Sequence, residues 1–224
     1  SVNGGGLYKS YDGGATWKLL SSAGTKAWRG VTCSADFVNM AAVGVGESVI
    51  WVSQNSGNTW ESISLASVSP VSTQWRDVVI NANLSSIAIM SSDSTVGSIY
   101  VSTDSGATWA KSTTAGDRAW RYMAADNDMM NIIASVGGSS SRRVGQIHSS
   151  NDAGITWHNI TEFSEKDWAG VTYVNVNANV IDRMAAADGR PGFIYHSIDA
   201  GETWLDWPTY WVAKRYPDFK ANTQ

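Results

Sequence analysis

One segment of eleven residues occurs five times along the 224-residue chain. The copies read Leu7-Tyr-Lys-Ser-Tyr-Asp-Gly-Gly-Ala-Thr-Trp17, Ile50-Trp-Val-Ser-Gln-Asn-Ser-Gly-Asn-Thr-Trp60, Ile99-Tyr-Val-Ser-Thr-Asp-Ser-Gly-Ala-Thr-Trp109, Ile147-His-Ser-Ser-Asn-Asp-Ala-Gly-Ile-Thr-Trp157 and Ile194-Tyr-His-Ser-Ile-Asp-Ala-Gly-Glu-Thr-Trp204. The shared core is Ser-x-Asp-x-Gly-x-Thr-Trp, and the closing tryptophans stand 43, 49, 48 and 47 residues apart. Each residue type in this core suits a tight hairpin. The aspartate accepts hydrogen bonds from backbone N–H groups further along the turn. The glycine adopts positive φ without a steric penalty. The β-branched threonine opens the next strand, and the tryptophan brings a large apolar face with one N–H to satisfy. Chemistry repeated five times marks a shared structural task, because a catalytic residue is normally unique. The structural set is therefore Asp12, Gly14 and Trp17; Asn55, Gly57 and Trp60; Asp104, Gly106 and Trp109; Asp152, Gly154 and Trp157; and Asp199, Gly201 and Trp204. Asn55 replaces the aspartate in the second copy, and it still accepts the turn hydrogen bonds, so the hairpin is expected to survive.

A second element recurs between the copies: Trp28-Arg-Gly-Val31, Trp75-Arg-Asp-Val78, Trp120-Arg-Tyr-Met123 and Trp168-Ala-Gly-Val171. An apolar stretch follows each, at 39–44, 87–90, 132–136 and 183–187. One unit then reads strand, strand, strand, turn, strand in about 47 residues, the size of a β-propeller blade. Twelve tryptophans, 21 glycines and only four prolines fit many short strands joined by tight turns. The expected fold is all-β: one propeller domain over residues 1–224, of five blades, each a four-stranded antiparallel sheet. The chain begins with the third and fourth strands of a blade, and Trp211 matches the first-strand tryptophan of the next unit. The tail from 205 to 224 is therefore expected to close the ring by lending an inner strand to the first blade. The alternative is a fragment of a six- or seven-bladed ring.

These hairpins resemble the Asp-box, or BNR, repeat of sialidase-type β-propellers. Similar boxes occur in xyloglucan-degrading enzymes, sortilin-type receptors and photosystem II assembly factors. The resemblance covers about residues 6–204 and implies the fold. It does not imply one function, because families sharing the box do unrelated things. A sialidase would imply three arginines on a substrate carboxylate, a Tyr–Glu nucleophile pair, an Asp acid/base and an early Arg-Ile-Pro segment. That tripeptide is missing, and glutamate is confined to Glu47, Glu61, Glu162, Glu165 and Glu202.

Function is expected on the face opposite the boxes, where the loops between second and third strands meet the links between blades. The candidate ligand-binding residues are Trp28, Arg29, Trp75, Arg76, Trp120, Arg121 and Trp168 at the starts of the inner strands. Arg142 and Arg143 join them from the longest polar loop. Planar cations and aromatic faces in a ring would stack on sugars and fork onto carboxylates or phosphates. Alternation along a strand nevertheless sends adjacent Trp and Arg side chains to opposite faces, so interblade packing is the competing role. A glycoside hydrolase needs two carboxylates across the scissile bond, and nothing in the sequence singles out such a pair among the non-box acids. Cys33 is the only cysteine, and His148, His158 and His196 lack ligand spacing, so no metal and no cofactor are expected. A net charge of −4 with 16% charged residues argues against a nucleic-acid partner. No apolar run approaches the ~20 residues of a membrane span, and residues 1–20 carry no signal-peptide pattern. The expectation is a non-catalytic binding or scaffold propeller for a glycan or protein partner, extracellular or lumenal. The alternatives are a carbohydrate-active hydrolase and an assembly factor docking on an anionic or protein surface.

Overall fold

The computed structural model describes residues 4–68, 74–91, 96–137, 145–161, 165–174, 183–188, 194–197 and 203–206. The architecture is an all-β propeller, as the repeat predicts. A first blade shows two strands, β1 (Tyr8–Lys9) and β2 (Lys18–Leu19). The second blade is β3 (Trp28–Cys33), β4 (Met40–Gly44), β5 (Val49–Ser53) and β6 (Glu61–Ser64). The third is β7 (Trp75–Ile80), β8 (Ile87–Ser91), β9 (Ile99–Ser102) and β10 (Ala110–Lys111). The fourth is β11 (Trp120–Ala125), β12 (Ile132–Val136), β13 (Ile147–Ser150) and β14 (His158–Asn159). The fifth is β15 (Trp168–Val174), β16 (Arg183–Asp188), β17 (Ile194–Ser197) and β18 (Leu205–Asp206). Strands pair antiparallel in chain order within each blade. The expected closing tail lies, beyond Asp206, outside the described residues, as do Asp199 and Gly201 of the last box.

The box hairpins form as their residue types dictate. In the third blade, Thr108 donates from its backbone N–H to Asp104 Oδ1 (2.8 Å) and from its hydroxyl to Asp104 Oδ2. The Ser102 hydroxyl donates to Asp104 Oδ1 (2.8 Å) and accepts from Gly106 N (2.8 Å). The same network recurs at Asp12 and Asp152. At Asn55 the amide keeps it by reversing one bond: Nδ2 now donates to Thr59 Oγ1 (2.7 Å), while Oδ1 accepts from Thr59 N (2.9 Å). The turn needs two successive left-handed residues, not one. Ser56, Ser105 and Ala153 precede their glycines at φ of 61°, 59° and 59°. Glycine at the second position is also required by packing, since a Cβ on Gly106 would sit 2.6 Å from Ile63 of the preceding blade.

Apolar side chains gather between blades, one cluster per interface. Trp28 and Trp60 lie in the cluster between first and second blades, Trp75 and Trp109 between second and third, Trp120 and Trp157 between third and fourth, and Trp168 and Trp204 between fourth and fifth. Trp120 is fully buried and packs edge-on against His148 and tilted against Trp157, with centroids 5.3 and 6.0 Å away. The box tryptophans are not equally enclosed: Trp157 and Trp204 are buried, whereas Trp17 is 64% exposed. Burial of His148 holds its imidazole down at about 4, with the Arg118 charge adding to the effect, so the ring is neutral at pH 7.

The turns from first to second strand repeat a design that the sequence hides. Ser34, Asn81 and Asp126 each accept a backbone N–H five residues on, from Asn39, Ser86 and Asn131 (3.0, 3.0 and 3.1 Å). Phe37, Leu84 and Met129 occupy the left-handed position of these turns. Each turn is tied to the box of its own blade through Ser56, Ser105 and Ala153, whose N–H groups donate to Val38, Ser85 and Met130.

Two predictions follow from packing and from the boxes. Trp120→Ala empties a well-packed interface and should cost about 3–5 kcal/mol, read as a lower urea midpoint with the m-value unchanged. The Thr16 and Thr108 hydroxyls, then their N–H groups, hold Asp12 and Asp104 near 2, below the ordinary 3.8. Their folded pKa lies under the unfolded one, so they stabilise the fold above about 4 and lose that contribution as pH falls towards 2. Asp104→Asn should keep the fold at pH 7 but flatten the acid limb of a Tm-versus-pH curve, whereas Asp104→Ala should lower Tm at pH 7.

Candidate functional site

The four inner strands β3, β7, β11 and β15 line a central cavity of about 380 Å³. The ends of these strands that carry Trp28, Trp75, Trp120 and Trp168 form the mouth, and the cavity lining starts two or three residues further along, at Val31, Asp77, Met123 and Val171. The first residues of β3, β7, β11 and β15 pair with the ends of β4, β8, β12 and β16, and the register then slips by one. The residue left out of each ladder is Arg29, Arg76, Arg121 or Ala169. A β-bulge therefore re-aims these positions out of strict alternation.

The four tryptophans beside them go inward. Trp28 is 9% exposed, and Trp75, Trp120 and Trp168 are 1% or less. Trp75 Nε1 donates to the Glu47 carbonyl (3.0 Å), Trp120 Nε1 to Gly116 (3.3 Å) and Trp168 Nε1 to Gly145 (2.9 Å). Their indoles pack between blades and present no stacking face at the mouth.

The arginines form a stair from blade to blade. Arg29 is exposed, and Arg76 and Arg121 are half-buried. Arg76 Nε donates to the Arg121 carbonyl (3.3 Å). Arg121 Nη1 pairs with Asp167 Oδ1 (2.8 Å) and reaches the Trp168 carbonyl (3.4 Å). Burial, then the charges of Arg121 and Arg29, push the Arg76 guanidinium below its usual range. The Arg76 guanidinium thus feels like charges from the blades on both sides, Arg29 of the second and Arg121 of the fourth. An anion placed among them would relieve that repulsion. The fourth blade-start has Ala169, so the row ends there.

A second set of cations was not singled out in the sequence: Lys26, Arg118 and Lys166, each two residues before an inner tryptophan. The backbones of all three form isolated bridges to the strand end or loop beside them. Lys26 lies 4.4 Å from the Trp51 ring centroid and pairs with Glu47 (3.6 Å), and Lys166 lies 5.4 Å from the Tyr195 ring. Arg118 Nε donates to the Ala115 carbonyl (3.0 Å). The spacing Lys/Arg-x-Trp was the available signal. Arg142 and Arg143 lie outside the described residues.

Two carboxyls face the cavity. Asp77 Oδ2 accepts from Met123 N of the next blade (2.9 Å), and Oδ1 accepts from Val78 N (3.0 Å). Burial nevertheless pushes its pKa up to about 6. Gly30 makes room for it, since a Cβ there would stand 2.6 Å from Asp77 Cα. Asp126 sits at the far end of the cavity and is also raised to about 6, by burial first. Among the described residues no three His, Cys, Asp or Glu side chains gather to hold a metal ion.

Hairpins of this build on blades of this size define the molecule as an Asp-box β-propeller. The chain belongs to the family described as Sortilin, neurotensin receptor 3 (Sortilin-Vps10), whose family model matches residues 5–144. No curated protein matches the sequence. Among solved structures, the GH74 enzyme of Niastella koreensis superposes with a TM-score of 0.62 at 18% identity, over 90% of this chain and 35% of that one. A nidogen/laminin complex gives 0.61 at 12% identity, over 85% and 68%. YCF48 bound to a D1 peptide gives 0.54 at 17% identity, over 91% and 75%. The chain spans about a third of the length of the GH74 enzymes it resembles. Among the described residues no helix is long and apolar enough to cross a membrane.

Asp77 supplies a prediction with a defined sign. Its folded pKa lies above the unfolded one, so this group favours the fold when protonated and costs stability as pH rises from about 4 through 6. Asp77→Asn should flatten the fall in unfolding free energy between about pH 4 and pH 7 in urea titrations, and an unchanged slope there would contradict the assignment.

Proposed function

We propose that this chain is a non-catalytic binding propeller that recognises an anionic group on a glycan or protein partner through the face opposite the Asp boxes. The row Arg29, Arg76 and Arg121 carries the reading. Three cations lie side by side at the mouth, and among the described residues only Arg121 has an acid in salt-bridge contact. Guanidiniums in a fixed row suit forked contacts to carboxylate, sulfate or phosphate. The four buried tryptophans hold the row in place from behind. Arg142 and Arg143 would extend it from the neighbouring loop. A protein partner is supported by two solved propellers of similar fold: the nidogen structure is a complex with laminin, and the YCF48 structure holds a D1 peptide. Low charge, abundant Ser, Thr and Trp, and membership of the sortilin family favour an extracellular or lumenal location.

A second reading, a carbohydrate-active hydrolase, is favoured by one observation. Asp77 and Asp126 are both poised near 6 and face one cavity, on a fold shared with GH74 enzymes. Both carboxyls are already bonded to backbone N–H groups, which suits strand-holding better than chemistry.

One array decides between these readings. Neutral glycans, uronic-acid and sulfated glycans and acidic peptides are displayed together, with hydrolysis products followed in the same wells. Anionic members should bind, more weakly at high salt, and Arg76→Ala should weaken them about tenfold, the scale of one charged hydrogen bond. Salt-independent binding that Arg76→Ala leaves intact contradicts the proposal. Turnover that Asp77→Asn abolishes replaces it with the hydrolase.

A further inference from the structure

The arginine row at the mouth is not symmetrical. Its side-chain contacts run to the next blade in chain order. Arg76 Nε donates to the Arg121 carbonyl (3.3 Å), and Arg121 Nη1 meets Asp167 Oδ1 (2.8 Å) and the Trp168 carbonyl (3.4 Å). The residue just ahead of the next inner tryptophan decides whether an arginine finds a charge there. In the third, fourth and fifth blades that residue is Gln74, Ala119 and Asp167, so only the last is an acid. The other two ion pairs among the described residues, Lys26–Glu47 and Lys111–Asp117, leave the row untouched. Arg29 is exposed and Arg76 half-buried, and neither enters a salt bridge among the described residues.

Arg121 is held at both ends. Its guanidinium is fixed by a carboxylate and a carbonyl of the fifth blade. Its stem lies against the backbone at the end of β12, where a Cβ on Gly137 would stand 1.8 Å from Arg121 Cδ. The Arg121 and Asp167 side chains are each 25% exposed, so salt screens this pair less than one in open water. Arg76 keeps its Nη groups unused among the described residues, and the Arg29 charge is one of those it feels.

We infer that Asp167 determines the charge class of the ligand, by withdrawing Arg121 and leaving Arg29 and Arg76 as a two-guanidinium clamp for one compact oxyanion. This rests on the anion-binding reading above and narrows it. The shared chemistry is a single phosphate, sulfate or carboxylate group, onto which two guanidiniums fork. A polyanionic chain laid along the row would bring its next charge against Asp167, and a like charge there is penalised. Asp167 is thus a positioning and selecting residue that acts through Arg121, without touching the ligand that it admits.

Phenyl phosphate as the compact probe and heparin as the extended one, titrated by calorimetry at several salt concentrations, test this. Phenyl phosphate should bind, and Arg76→Ala should weaken it about tenfold. Asp167→Asn should free Arg121 and tighten heparin about tenfold. The slope of log K against log salt should steepen by about one, because one more cation meets the polyanion. Adding Arg121→Gln to Asp167→Asn should cancel both gains. A purely structural Asp167 would move stability and leave that slope alone. Should Asp167→Asn not fold, Arg121→Gln by itself decides, and it should cost phenyl phosphate clearly less than Arg76→Ala does. Heparin affinity and slope that Asp167→Asn leaves unchanged overturn the inference, while the anion-binding reading stands as long as Arg76→Ala weakens phenyl phosphate. Equal losses from Arg121→Gln and Arg76→Ala overturn it as well, since Arg121 would then belong to the clamp. Failure of both probes to bind, or binding indifferent to Arg76→Ala, overturns the anion-binding reading and this inference with it.

Discussion

Every blade of this propeller is a thin sheet with two apolar faces, and neither face is stable in water alone. The burial of one blade against the next is the interaction on which the remaining structure depends. Each interface holds an inner-strand tryptophan, apolar residues of a second strand of a blade and, in three of the four interfaces, a closely packed box glycine. Stability in such an array is roughly a sum over blades and the contacts between neighbours. The Asp boxes serve that array. They turn the third strand into the fourth with a self-contained hydrogen-bond network, and those of the second, third and fourth blades are tied to the first turn of their own blade.

The same packing generates the candidate site. An inner strand must start with a tryptophan directed into the interface, and the next residue must go elsewhere. The bulge after Trp28, Trp75 and Trp120 resolves the conflict by leaving the arginine out of the ladder. Interblade packing thus fixes three guanidiniums at the mouth without using any residue of the core for binding. Asp77 serves the opposite purpose. It joins β7 to β11 through the Met123 N–H in a place too enclosed for an easy carboxylate charge.

The sequence was most legible where one residue type performs one task. Asp, Gly, Thr and Trp at fixed spacing announced all five hairpins, and the Asn55 copy folds alike because an amide can replace the second carboxylate oxygen by reversing a bond. The first turns were less legible, because Ser34, Asn81 and Asp126 make one hydrogen bond with three different side chains. The left-handed positions of Phe37, Leu84 and Met129 defied the usual preference for glycine. At the site, strand alternation rightly separated tryptophan from arginine, but the bulge that sets the arginine's direction is a matter of register between two strands and leaves no mark on either. The tryptophans, grouped with the arginines by sequence alone, belong to the interfaces.

If burial between blades carries the stability, residue-resolved native-state hydrogen exchange should show it. Amides of β7, β8, β11 and β12, in blades covered on both faces, should exchange slowest, and those of the outer strands β2 and β18 fastest. Equal protection across all blades, or a slowest core in the fifth blade, would contradict a fold held together chiefly by its interblade faces.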